Sequence, residues 1–125
     1  MTPTDGGRPI FLELADRIAE DILGGIYPPG TQVPSTTELS AFYRINPATA
    51  GKALNRLVDA GILTKRRGLG TFVTEQGPEC LREERRQQFA EDYLTPMLQE
   101  ARRLEITRSD LLALLREHPD PEERP

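Results

Sequence analysis

Residues Pro34 to Val73 read PSTTELSAFYRINPATAGKALNRLVDAGILTKRRGLGTFV, and this stretch decides the fold. Ser35 and Glu38 are a capping-box pair: the hydroxyl accepts the Glu38 N–H and the carboxylate accepts the Ser35 N–H. They predict a short helix to about Tyr43 that buries Leu39 and Phe42. Tyr43-Arg44-Ile45-Asn46 forms a turn. Asn46 caps a second helix, with Pro47 at its first position, where a missing N–H costs nothing. Ala50, Leu54, Leu57, Val58 and Gly61 fall along one side of that helix; Ala48, Thr49, Lys52, Asn55 and Arg56 fall along the other. After Gly61, Ile62–Lys65 and Gly70–Thr74 alternate as two strands around Arg66-Arg67-Gly68-Leu69.

Helix, turn, helix and hairpin together form a winged helix-turn-helix. The outer face of the second helix is short-chained and polar at its start and basic further on, with acid only at Asp59. Small side chains permit close approach to base edges, and cations meet phosphates. The same logic gives Arg66 and Arg67 a role at backbone phosphate or in a minor groove. The Gly-Leu-Gly of 68–70 is not read as a nucleotide loop, because no helix start follows it to supply N–H groups.

Upstream, residues 1–9 are a polar lead without periodicity, expected to be mobile. Ile10, Leu14, Ile18 and Ile22 step by four and predict an amphipathic helix ended by Gly24-Gly25. The proline-rich run 26–34 cannot be helix interior, though Gln32-Val33 could add one short strand beside the hairpin.

The chain has 125 residues and a formal net charge of −4. Between Leu39 and Thr74, however, Arg44, Lys52, Arg56, Lys65, Arg66 and Arg67 face the single acid Asp59. An acidic chain with one basic window has a localised anion-binding surface. The longest apolar run, Leu111–Leu115, is far below the roughly 20 residues of a bilayer span. The start shows no signal-peptide pattern. A lone Cys80 suits a reducing compartment, and the expected location is the cytoplasm. Cys80 itself reads as a helix-start residue without a role. No metal or cofactor is expected: His118 stands alone, and no nucleophile–base pair or nucleotide fingerprint marks an enzyme.

The run Pro9–Val73 resembles the DNA-binding domain of GntR-type bacterial transcription regulators. The resemblance rests on Pro9-Ile10-Phe11, Pro28-Pro29-Gly30-Thr31, Val33-Pro34-Ser35, Glu38-Leu39, Ile45-Asn46-Pro47, Ala53-Leu54, Leu57, Gly61-Ile62-Leu63 and Gly68-Leu69-Gly70-Thr71-Phe72-Val73. The Ile-Asn-Pro turn and short tail are similar to the YtrA subfamily. The resemblance implies DNA contacts from Ser35, Thr36 and Thr37; from Asn46, Ala48, Thr49 and Lys52; and from Arg66, Arg67, Gly68 and Gly70. Thr37 stands where many relatives carry arginine, with Arg44 or Arg56 nearby to compensate. Gly51 replaces a larger polar residue, at up to about 1 kcal/mol of helix stability.

Beyond Gln76-Gly77-Pro78, apolar residues return at helical spacing from Cys80 to about Ile106: Leu81, Phe89, Tyr93, Met97, Ala101 and Leu104. Pro96 should kink or divide this helix. Thr107 and Asp110 form a second capping box, opening a helix with Leu111, Leu112, Leu114 and Leu115. Two helices cannot close a core alone, so Phe89, Tyr93, Met97, Ala101, Leu104, Leu111 and Leu115 are read as a dimer interface. The fold class is thus mainly α with a small β wing. It comprises a winged helix-turn-helix (1–76), a two-helix dimerisation segment (77–118) and a disordered tail (119–125).

The function expected is a dimeric, sequence-specific DNA-binding transcriptional regulator on palindromic double-stranded DNA, a repressor of its own or a transporter operon. The rival is a winged-helix module that binds protein, as an antitoxin or adaptor. The sequence names neither the operator nor an effector, and an effector would need a groove at the dimer interface.

Overall fold

The computed structural model describes residues 8–122; residues 1–7 of the expected mobile lead (1–9) and 123–125 of the expected disordered tail (119–125) lie outside the described residues. Helix α1 (Ile10–Leu23) is followed by α2 (Thr36–Tyr43), α3 (Pro47–Asp59), strands β1 (Leu63–Arg66) and β2 (Gly70–Val73), and helices α4 (Gly77–Phe89), α5 (Thr95–Arg103) and α6 (Arg108–Glu117). The chain divides into two compact units, residues 1–84 and 85–125, with the division inside α4.

Local chemistry sets most element ends. The Ser35–Glu38 box forms in both directions, with the Glu38 N–H donating to Ser35 Oγ at 3.1 Å and the Ser35 N–H to Glu38 Oε1 at 2.8 Å. Asn46 Oδ1 accepts the Ala48 N–H at 2.7 Å, and Pro47 occupies the first turn of α3. Between the two helices Arg44 takes a left-handed conformation, φ 56°. Thr107 and Asp110 cap α6 reciprocally. The antiparallel hairpin pairs Leu63 with Val73 and Arg66 with Gly70. The expected third edge is present as an isolated bridge, Gln32 to Phe72, supported by the Val33 N–H to Thr71 carbonyl bond at 2.9 Å.

The core of the first unit gathers Leu14, Ala15, Ile18 and Ile22 of α1, Leu39 of α2, Ala50, Ala53, Leu54 and Leu57 of α3, Val33, and Leu63 and Val73 of the hairpin. Burying a large aliphatic side chain completely contributes about 1.5–3 kcal/mol. Two readings need correction. Phe42 is not buried but 77% exposed, because the α2 face that carries Leu39 continues through Tyr43, which packs on the core. Ala53, left out of the expected inner face of α3, has no exposure at all.

Gln76 is an exposed turn residue, and the helix begins at Gly77. Gly77 is buried and opens α4, with Pro78 in a first turn that tolerates a missing N–H. Leu81, one turn on, is 2% exposed and belongs to the core of the first unit.

In the second unit the expected effect of Pro96 takes a definite form. The helical path is not cut but widens into a π turn, Ala90–Leu94, immediately before α5. The Thr95 N–H bonds the carbonyl of Ala90, five residues back. The wide turn absorbs one residue ahead of a ring that would otherwise press on the carbonyl four positions earlier. Phe89 and Tyr93 lie ring to ring at 5.6 Å. Ala101, expected at a dimer interface, is buried in the single chain; Met97 and Leu111 are half-buried, and Phe89, Tyr93, Leu104 and Leu115 are exposed.

A Cβ on Gly77 would lie 2.7 Å from the Ile62 carbonyl oxygen and 3.0 Å from Thr74 Oγ1, whereas one on Gly51 would meet nothing within 4 Å. Gly77→Ala should therefore cost about 1–3 kcal/mol in urea unfolding, and Gly51→Ala should gain about 0.5–1 kcal/mol. Equal midpoints for the two variants would contradict the packing at the start of α4.

Candidate nucleic-acid interface

The candidate surface is built on two helix starts and a hairpin tip. Ser35, Thr36 and Thr37 occupy the start of α2, and Asn46, Ala48 and Thr49 that of α3; Thr36 and Thr49 are half-buried and the others exposed. Each helix start presents backbone N–H groups and the positive end of its dipole. Capping consumes part of this chemistry. Asn46 spends its carbonyl oxygen on the Ala48 N–H, which leaves its amide NH2 as the outward donor. Ser35 accepts from Glu38 and keeps its own O–H to donate.

All six cations of the basic window are exposed: Arg44, Lys52, Arg56, Lys65, Arg66 and Arg67. Three are held by the protein itself. Lys52 Nζ lies 4.8 Å from the centroid of the Phe11 ring, and the Arg66 guanidinium 4.6 Å from that of Phe72. Lys65 Nζ donates to Asn55 Oδ1 at 2.5 Å, tying β1 to α3. Exposed cation–π pairs contribute about 0.5–1 kcal/mol, enough to bias a long side chain toward one direction. Gly68, φ 74°, and Gly70, φ 128°, let the hairpin reverse where a side chain would be strained.

Asn55 and Gln32 position this surface through contacts that the sequence does not show. Asn55 was placed on the outer face of α3, but its partner lies ten residues on in the hairpin. Gln32 Nε2 donates to the Leu69 carbonyl at 3.0 Å, across 37 residues of sequence. A Cβ on Gly70 would fall 2.2 Å from that same Nε2. The glycine thus leaves the room that the glutamine fills, and the glutamine pins the carbonyl at the hairpin tip.

Comparison with known proteins agrees with this architecture. The profile of the bacterial regulatory proteins of the gntR family matches residues 11–73. The chain is 36% identical over 83 residues to YurK of Bacillus subtilis, described as an uncharacterized HTH-type transcriptional regulator, covering 66% of this chain and 34% of YurK. It is also 36% identical to the HTH-type transcriptional repressor YtrA of the same organism, covering 58% of this chain and 56% of YtrA. The chain therefore spans about a third to a half of the length of these relatives. Among solved structures, a GntR family transcriptional regulator from Listeria monocytogenes superposes with a TM-score of 0.75 at 25% identity, covering 93% of this chain and all of the other. The DNA-binding domain of AraR, solved in complex with an operator, superposes with a TM-score of 0.52 at 28% identity, covering 59% of this chain and 92% of that domain.

Gln32→Leu keeps the bulk beside Gly70 but removes the donor to Leu69. One lost hydrogen bond of about 0.5–1.5 kcal/mol should speed hydrogen exchange of hairpin amides near Leu69 by about two- to tenfold and leave the α1 and α3 amides unchanged. Unchanged exchange at the hairpin would show that the glutamine does not hold the tip.

Proposed function

This chain belongs to the GntR family of bacterial regulatory proteins, and from that premise we propose that it is a sequence-specific DNA-binding transcriptional regulator acting as a two-fold dimer in the cytoplasm. The observation that carries the reading is the concentration of six exposed cations and two capped helix starts on the segment that the family profile matches. Asn46, Ala48, Thr49 and Lys52 read the major groove. Ser35, Thr36, Thr37, Arg44 and Arg56 set register on phosphates. Arg66 and Arg67, on a tip shaped by Gly68 and Gly70, grip backbone or minor groove. Gly51 supports this reading, since nothing in the fold occupies the space beside it and DNA can approach the helix there.

Pairing comes from the 77–118 segment through Phe89, Tyr93, Met97, Leu104, Leu111 and Leu115. These side chains leave apolar surface uncovered in the single chain, Tyr93 at 67% exposure among them. Ala101 is already buried in the single chain and is not part of this uncovered surface. A two-fold pair meets two half-sites, so the target is a palindromic duplex. Repression of an operon, its own or one for a transporter, follows the relatives, of which YtrA is described as a repressor.

Lys52→Ala and Arg67→Ala should each weaken binding to a duplex selected from random DNA, lower the slope of log affinity against log salt by about one, and leave oligomeric state unchanged. Salt-independent binding or full affinity in both variants would end this assignment and favour a protein-binding module. Tyr93→Glu, at an exposed site in the second unit, should shift sedimentation from dimer to monomer while hydrogen exchange in the first unit stays native. A variant that still sediments as a dimer would move the interface elsewhere.

A further inference from the structure

Within the first unit a cavity of about 510 Å³ opens between α1, the 26–34 loop and α2, and the DNA-binding reading does not use it. Its walls carry three aromatic rings, Tyr27, Phe42 and Tyr43, and two carboxylates, Asp21 and Glu38, against one cation, Arg17. We propose that this cavity binds a small organic cation, an ammonium group on a short apolar body. The volume lies within the range of small-molecule sites. Aromatic faces attract cations through their quadrupole, most strongly where water is partly excluded.

Phe42 and Tyr43 stand edge to face with ring centroids 4.9 Å apart. A phenylalanine left 77% exposed on a capped helix is otherwise unaccounted for by the core. Among the described residues the cation–π pairs lie elsewhere, Lys52 on Phe11 and Arg66 on Phe72. Arg17 also lines a smaller cavity of about 280 Å³, whose wall carries Glu13. With Asp21 and Glu38 against Arg17, the formal charge on the wall of the larger cavity is −1. Burial, reinforced by Asp21, Tyr43 and Glu38, pushes the Tyr27 phenol above its ordinary pKa.

Glu38 links the cavity to the DNA-facing surface. The same side chain lines the cavity and accepts the Ser35 N–H that closes the cap of α2. A bound cation competes for that carboxylate and loosens the cap beneath Ser35, Thr36 and Thr37. This consequence rests on the DNA-binding reading; the cation site itself does not.

The probes are choline and its neutral isostere 3,3-dimethylbutan-1-ol, titrated into the full chain at low salt and followed by NMR of the ring protons. Choline should shift Tyr27, Phe42 and Tyr43 and bind about three- to thirtyfold more tightly than the neutral alcohol. Phe42→Ala, at an exposed position, and Glu38→Gln, which still serves a capping box, should each weaken choline while both proteins stay folded. Equal affinity for the two probes, shifts confined to other residues, or full choline affinity in both variants would overturn the site. The coupling is read separately, as a fall in affinity for the selected duplex at saturating choline. An unchanged duplex affinity would remove the coupling and leave the cation site standing, whereas a wild-type chain that binds no DNA would sink only the regulator reading.

Discussion

Close approach of α3 to its neighbours is the constraint on which the rest of the first unit depends. Ala50 and Ala53 have no exposure, and Leu54 and Leu57 almost none. With methyl groups on its inner face, α3 can lie near α1 and α2 at once. Larger residues there would push the helix outward, and overpacking of a filled core costs about 1–3 kcal/mol. The outer face of α3 is then committed in direction: once Ala50 and Ala53 point inward, Ala48, Lys52 and Asn55 must point outward, since the helical repeat permits no other arrangement. The hairpin inherits its place from the same constraint, because Ile62 bonds back to the Leu57 carbonyl at 3.0 Å as the chain leaves α3.

What could be read from the sequence was the chemistry that acts over a few residues. The Ser35–Glu38 and Thr107–Asp110 boxes, the Asn46 cap with Pro47 behind it, and the glycine-ended helices depend on spacing alone, and the structure contains each of them. Phe42 was misread because an eight-residue helix gives the periodicity little to work with. Leu39 is one turn from both Phe42 and Tyr43, and only packing decides that Tyr43 goes inward. Ala53 was missed because alanine is compatible with either face. Pro96 announced a disturbance without naming its form, since a kink, a break and a π turn all relieve the same clash. In the candidate site, the exposed positions of α2, α3 and the wing were legible. The Gln32–Leu69 and Asn55–Lys65 contacts were not, for each joins segments that only the finished fold brings together.

Those two contacts alter what the basic window can do. Six cations on flexible stems would each lose rotamer entropy on meeting a phosphate, roughly 1.5–2 kcal/mol for a fully fixed lysine or arginine. Here Lys52, Lys65 and Arg66 are already biased by Phe11, Asn55 and Phe72, so part of that loss is taken during folding. The same restraints compete with a ligand, because a cation that swings to phosphate gives up its ring or amide. Exposed cation–π pairs are weak enough, at about 0.5–1 kcal/mol, to orient without trapping. Among the described residues Arg67 shows no such restraint, and it sits exposed at the tip beside Gly68. Of the restrained cations, Lys52 is aimed from α3 and Lys65 and Arg66 from β1, so on the proposed reading both elements carry part of the register before a ligand arrives. Gln32 holds the Leu69 carbonyl at the same tip, so the freedom left to Arg67 is that of its side chain and not of the backbone beside it.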